Sequence, residues 1–501
     1  MRNGTLLAAI DLGSNSFRLE ICRFNNGILQ RSEYIKEAVR QGSGLDEDRN
    51  LSTSAMEKGW DCLSRFAERL ADFDPSQVRA VATQTLREAR NRHVFLEKAN
   101  RILGFPIEVV SGREEARLIY QGVSHLLPSS PDRRLVIDIG GRSTEFIIGV
   151  NKNALTLESY RVGSVASSMK YFPNGELTAA AFQKAEVAAK AVLDEALQVF
   201  NKSQWDIAYG SSGTVSAVAE ALAQADWPSD HITMESLLWL KNQLIRFGHV
   251  DKLRLEGMKE ERKAVIGGGL SVLIALVELF DIEQLQVTPG ALRHGVMYDL
   301  IERQDDTGDI HSLTVAGLRK TFKADAAQAT RVNRLACQFL QQLQQASQQD
   351  MDWPRLIKKL GWAAQLHEIG ASISHSDSHK HGAYILENTD TPGFAQHELH
   401  RLSLLVLGHK GKLRKLDVDF NDDSFIFQLI SLRLAVILCH ARRDTDFGSL
   451  EIGLSAEIKN CFELRVEPLF AQRFPQSNHL LQQEVISWQK TRWQLRIVQF
   501  S

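Results

Sequence analysis

Two short segments of this chain, AAIDLGSNSF around Asp11 and LVIDIGGRSTEF around Asp138, repeat one pattern. Each has an apolar run, an Asp, a turn of Gly and small hydroxylic residues, and a second apolar run, RLEICRF in one and EFIIGV in the other. The pattern predicts a β-hairpin at each place. Glycines let a backbone come close to an anion, Ser and Thr hydroxyls and exposed N–H groups donate to phosphate oxygens, and an Asp can hold a divalent ion or its water. One such segment is an ordinary turn with an acidic strand end. Two matched copies facing each other across a cleft would grip a phosphate chain from both sides. The candidates are Asp11, Gly13, Ser14, Asn15 and Ser16 on one hairpin, and Asp138, Gly140, Gly141, Arg142, Ser143, Thr144 and Glu145 on the other. A third segment, YGSSGTV, predicts a strand turning into a helix, so that Ser211, Ser212, Gly213 and Thr214 meet phosphate at a helix N-terminus.

The elements that must position these residues alternate in type. Residues 1–125 read as strands and amphipathic helices in turn, and residues 126–305 repeat the order, which implies a tandem duplication of one α/β fold with a cleft between the halves. The apolar run AVIGGGLSVLIALVELF (264–280) reads as a buried helix entered through a glycine turn, since its glycines and Glu278 argue against a membrane span. Residues 306–445 show long helical periods, with QQLQQASQQD (341–350) as a polar helix end or loop. Residues 446–501 return to strand-like alternation around a helix, predicting a small α+β module.

With 501 residues the chain exceeds one domain, and a formal net charge of −2 with 44% hydrophobic and 24% charged residues excludes a polyanion-coating protein or an acidic tail. Any polyanion must be held by local basic placement. The five cysteines are far apart and form no C-x-x-C, so neither a zinc knuckle nor a disulfide framework is expected, and a reducing cytoplasm fits. The N-terminus runs directly into the first strand without signal-peptide character. No nucleic-acid partner and no membrane span are expected.

DLGSNSF, ATQTLREA, SGREEARLIYQGV, VIDIGGRSTE, YGSSGTV, EERKAVIGGGLSVL, GALRHGV and LHEIG occur in this order along nearly the whole chain. In these segments the chain resembles the exopolyphosphatase and guanosine pentaphosphate phosphohydrolase family, members of the actin, sugar kinase and Hsp70 superfamily. The resemblance implies two actin-like, ribonuclease H-like domains (1–125 and 126–305), then an all-α HD-like domain (306–445) and the small α+β module (446–501). It implies that Glu115 is the general base on the attacking water, with a pKa raised by the acidic cleft. Composition alone makes Glu114 and Glu115 ordinary helix-start acids. Asp11, Asp138 and Glu145 become candidates for Mg²⁺, with Mn²⁺ and a monovalent cation such as K⁺ as further candidates. Arg87 would clamp the transferred phosphoryl group, and Arg262 and Arg293 are weaker phosphate-binding candidates or cleft-wall ion-pair partners. Arg142 stands where the family usually carries a small residue, and Arg18 where it often carries His; neither is expected to touch the catalytic set.

In the helical region, His367-Glu368 resembles the His-Asp pair of HD phosphohydrolases, but Arg331 stands near the first ligand position, so a second working metal site is not expected. The segment HSDSHKHGAYILEN looks more like the exopolyphosphatase branch. The expected activity is therefore release of terminal orthophosphate from inorganic polyphosphate, with guanosine pentaphosphate as the alternative substrate. A sugar-kinase-like or actin-like ATPase and a non-catalytic alarmone-binding regulator are the rivals. A homodimer through the C-terminal half is expected.

Overall fold

A computed structural model of the chain describes residues 2–25, 28–303, 310–389 and 391–500. The expected boundary at 305/306 lies outside the described residues. The chain forms two compact units, residues 1–309 with 390–395, and residues 310–389 with 396–501.

The first unit contains two mixed sheets of the same plan. Strands β1 (Leu6–Leu12), β2 (Phe17–Asn25), β3 (Ile28–Glu37), β4 (Val78–Ala82) and β5 (Ile107–Val109) lie in the order β3-β2-β1-β4-β5. The second sheet is built from β6 (Arg134–Ile139), β7 (Thr144–Val150), β8 (Asn153–Tyr160), β9 (Ile207–Ser211), β10 (His231–Ile232) and β11 (Leu285–Val287), in the order β10-β11-β9-β6-β7-β8. In each, the first three strands form an antiparallel meander and the first strand also pairs in parallel with a later one. Both predicted hairpins form, β1–β2 and β6–β7. Asp11 and Asp138 occupy matching places near the ends of β1 and β6.

Helix α1 (Thr53–Arg69) starts at Ser52, whose side chain accepts from the Ala55 N–H at 3.3 Å, and buries Met56, Cys62, Leu63 and Phe66 against the first sheet. ATQTLREARN forms the short α2 (Gln84–Glu88), and α3 (Arg92–Leu103) begins only after a break at Ala89. Helix α4 (Gly112–Ser124) is capped by Ser111, which accepts from the Glu114 N–H at 3.1 Å.

The glycines of the 264–280 run form no turn. Helix Glu260–Leu279 continues through them, and a Cβ at Gly268 would stand 2.4 Å from the Ser168 nitrogen. The missing side chains let helix Ser164–Tyr171 pack backbone to backbone against it, which the periodicity of the run does not reveal.

The second unit carries helices including Ile310–Thr321, Ala326–Ala346, Trp353–Leu366 and Asp423–Leu438. Its sheet, β12 (Leu450–Leu454), β13 (Cys461–Val466) and β14 (Gln494–Gln499), has β13 at the centre. Helix Pro475–Trp488 makes the crossover between the parallel β13 and β14, and its Glu484 forms a buried ion pair with Arg433 at 2.5 Å. Lys359 is buried beside Glu398 at 3.4 Å. Among the described residues no helix is long and apolar enough to cross a membrane.

Candidate active site

A cavity of about 450 Å³ in the first unit is lined by residues between Asp11 and Arg293. Both glycine hairpins open onto it, contributing Asp11, Gly13, Ser14, Asn15 and Ser16 from one side and Asp138, Gly140, Gly141 and Ser143 from the other. The hairpins approach closely: a Cβ on Gly141 would meet the Ser14 Cβ at 2.7 Å. Ser14 Oγ accepts from Thr85 Oγ1 at 2.7 Å, which leaves its own proton free to donate. Among the described residues the buried Asn15 Nδ2 and Ser16 Oγ have no hydrogen-bond partner, so this loop presents donors suited to an oxyanion.

Ser212, Gly213 and Thr214 also line the cavity, and Arg262 lies against Gly213. Among the described residues the Arg262 guanidinium makes no hydrogen bond or ion pair; burial and the nearby Arg18 lower its pKa. Arg293 lines the cavity too, but it pairs with the buried Glu20 and sits 5.1 Å from the centre of the Tyr34 ring.

Several expected phosphate contacts lie elsewhere. Ser211 Oγ donates to Asp138 Oδ2 at 2.7 Å, and Thr144 Oγ1 donates to the Val162 carbonyl at 2.7 Å. Both hold the strands rather than face the cavity. Arg142 reaches across to the first lobe, where Nε donates to Glu88 Oε2 and Nη1 to the Gly42 carbonyl, each at 3.0 Å. Arg87 is also occupied within the protein. Its Nη1 donates to Glu115 Oε2 at 2.6 Å and to the Val110 carbonyl at 2.9 Å, while Nε and Nη2 donate to Gln84 Oε1. Arg18, expected to be uninvolved, pairs with Asp11 at 2.8 Å.

Of the adjacent glutamates, only Glu115 lines the cavity. Glu114 is fully buried, paired with Arg117 at 2.8 Å and accepting from the Gly393 N–H at 2.5 Å. Burial raises the pKa of Glu115, Arg87 opposes the rise, and Asp11 and Asp138 reinforce it. Burial likewise pushes Asp138 up to about 6 against the bond from Ser211. Glu145, directly opposite Asp138 in the β6–β7 register, is held well above the ordinary range by burial and by Glu115 and Asp138. Its Oε1 accepts from Ser159 at 2.8 Å, whereas the buried Oε2 has no partner among the described residues.

This crowd of carboxylate oxygens, one of them orphaned, fits a hard divalent cation. Among the described residues no three His, Cys, Asp or Glu side chains converge as a metal-binding group. A cation here would therefore draw on few carboxylates together with water and substrate oxygens, as Mg²⁺ does.

The cavity continues past the glycine loops to Arg31, Tyr34, Lys36, Lys259 and Thr288, none of which the sequence pattern had marked. The register of β2 with β3 shifts between Ile21 and Cys22, leaving Ser32 as an extra residue. That bulge turns Arg31 onto the face of Tyr34 and Lys36, which simple alternation would deny it.

In the second unit, His367 Nδ1 lies 2.7 Å from the Ala364 carbonyl, and Glu368 pairs with Arg442. Their neighbours His375 and His381 are at least partly exposed.

The Ppx/GppA phosphatase family model matches residues 21–304, and its domain III model matches residues 310–487. The chain belongs to the Ppx/GppA phosphatase family. It is thus an enzyme that hydrolyses phosphoanhydrides. A Pseudoalteromonas translucida protein, named guanosine-5′-triphosphate,3′-diphosphate pyrophosphatase, is 39% identical over 97% of both chains. A Vibrio cholerae protein of the same name is 40% identical over 87% of both. The crystal structure of an exopolyphosphatase from Cytophaga hutchinsonii shares the fold, with a TM-score of 0.54 and 24% identity over 60% of this chain and 98% of its own. The relatives overturn the expectation of an exopolyphosphatase. That expectation leaned on residues 375–388 of the second unit.

Proposed function

We propose that this Ppx/GppA family enzyme hydrolyses guanosine-5′-triphosphate,3′-diphosphate, releasing the terminal 5′-phosphoryl group as orthophosphate. The observation that carries the substrate is the pair of relatives of that name, 39–40% identical over 87–97% of the chain. The cavity supports it. The glycine hairpins suit the reacting phosphoryl end, and Arg31 and Arg262 offer positive charge to further anionic groups, beside Lys36, which pairs with Glu261, and Lys259, 3.5 Å from Glu220.

Glu115 is the proposed general base. Arg87 holds its Oε2, and among the described residues no donor is bonded to Oε1, which can take a proton from water. As the water oxygen bonds to the terminal phosphorus, the bridging P–O bond breaks and the diphosphate end departs with its electron pair. N–H groups and hydroxyls of Gly13–Ser16, Gly140, Gly141 and Ser143, with Arg262, would hold the phosphoryl oxygens. Asp138, with Glu145 opposite it or Asp11 on the first hairpin and with water and substrate oxygens completing the shell, would hold Mg²⁺, which when bound neutralises charge on phosphate oxygens.

This reading also carries a cytoplasmic location, in keeping with cysteines that are all free, and a homodimer through the C-terminal half, for which the solution mass is the test. The activity test is phosphate release from purified protein given guanosine pentaphosphate, with inorganic polyphosphate and ATP as competitors. One orthophosphate per guanosine tetraphosphate formed is expected. Pyrophosphate as the released product, or no turnover, would overturn the proposal.

A further inference from the structure

A continuous line of hydrogen bonds runs from the second glycine hairpin to Glu115. Arg142, in the β6–β7 turn, donates through Nε to Glu88 Oε2 at 3.0 Å. Glu88 Oε1 accepts from Gln84 Nε2 at 2.7 Å, one turn earlier on α2. Gln84 Oε1 accepts from Arg87 at 2.9 and 2.6 Å, and Arg87 Nη1 donates to Glu115 Oε2 at 2.6 Å. The amide of Gln84 is thus fixed in orientation from both ends, its NH₂ by Glu88 and its oxygen by Arg87.

Arg142 has a second hold on the first lobe. Its Nη1 donates to the Gly42 carbonyl, while the Gly42 N–H donates to the Ser14 carbonyl at 2.7 Å. One side chain from the second phosphate hairpin therefore touches both the support of the first hairpin and the start of the line to Glu115. The line belongs to the first unit throughout. It lies behind the cavity, because Gln84, Arg87, Glu88 and Arg142 do not line it.

We infer that Arg142 and Glu88 form an interlobe clamp that positions Glu115 through Gln84 and Arg87, so that the approach of the two hairpins and the aim of the base are set together. The inference rests on the assignment of Glu115 as base. Arg142 and Glu88 are positioning residues: they touch neither cavity nor substrate, and they act on the aim of a carboxylate, where a displacement of about 1 Å can cost about 100-fold in rate. Members of one such line are not independent, so losses along it do not multiply.

The test is steady-state phosphate release from guanosine pentaphosphate by the full-length protein and by Arg142→Ala, Glu88→Ala, their double variant, Glu88→Gln and Glu115→Gln. Arg142→Ala and Glu88→Ala should each lower kcat by roughly 10- to 100-fold while KM stays within about threefold. The double variant should be no slower than the slower single variant. Glu88→Gln keeps one acceptor but turns an NH₂ against either Gln84 or Arg142, so it should lose about as much as Arg142→Ala. Gln84→Leu breaks the line without touching the interlobe contact, so it carries the test if Arg142→Ala does not fold, and the same loss in kcat is expected. Unchanged kcat in Arg142→Ala and Glu88→Ala, or losses that multiply in the double variant, would overturn the clamp while Glu115→Gln remained inactive. Normal turnover in Glu115→Gln would instead overturn the underlying assignment of the base.

Discussion

Arg18 Nη1 lies 2.8 Å from Asp11 Oδ2 across the first hairpin, in the register that Glu145 occupies opposite Asp138 in the second. The two hairpins thus share a backbone plan and differ in charge. Asp11 has a cationic partner within the protein, whereas Asp138 and Glu145 are two acids facing one another, both with raised pKa. A divalent cation gains most where protein charge is least compensated, which is the second hairpin.

Removing the Asp138 carboxylate should therefore act on the metal before the substrate. Asp138→Asn is expected to raise the Mg²⁺ concentration for half-maximal turnover by about 10- to 100-fold, on the scale of losing one strong metal-site interaction. A Mg²⁺ titration of phosphate release checks this. An unchanged midpoint would remove Asp138 from the metal site.

The same residue sets a pH dependence of stability in metal-free protein. Asp138 titrates near 6 when folded, against an ordinary value near 3.8, so folding favours its protonated form. The stability this contributes is full below about pH 4 and is lost as pH rises to about 6, a loss of about 3 kcal/mol at most. Urea unfolding in the presence of a chelator, from pH 4 to 7, should show Asp138→Asn gaining on the wild type as pH rises. Parallel curves would contradict the burial of an uncompensated acid.

The helix contact through Gly268 gives a prediction about stability alone. Gly268→Ala adds a Cβ 2.4 Å from the Ser168 nitrogen, and a backbone neighbour cannot swing away. A loss of roughly 1–3 kcal/mol is expected by urea unfolding, from forced overpacking. Unaltered unfolding would show that the helices have room to separate.

The hairpins were legible because their chemistry is local: Asp, Gly and Ser lie within six residues, and apolar runs on both sides define the strands. The duplicated order of elements made the two-lobed fold legible for the same reason. What escaped depends on distant partners. The reach of Arg142 to Glu88 crosses 54 residues, and the exposure of Arg31 to the cavity depends on one extra residue in β3. The glycine run read as a turn because a close helix contact and a loop make the same demand for small residues. Substrate preference was sought in the histidine-rich segment 375–388, which belongs to the second unit, whereas the hairpins that define the cavity belong to the first.

The central claim is that Glu115 takes the proton from the attacking water, and replacement by Gln tests it most directly because size and hydrogen bonding are kept while basicity is lost. Single-turnover phosphate release from guanosine pentaphosphate, with substrate affinity measured alongside, should show Glu115→Gln slower by about 10²- to 10⁴-fold with affinity largely retained. Near-normal release by Glu115→Gln would contradict the account.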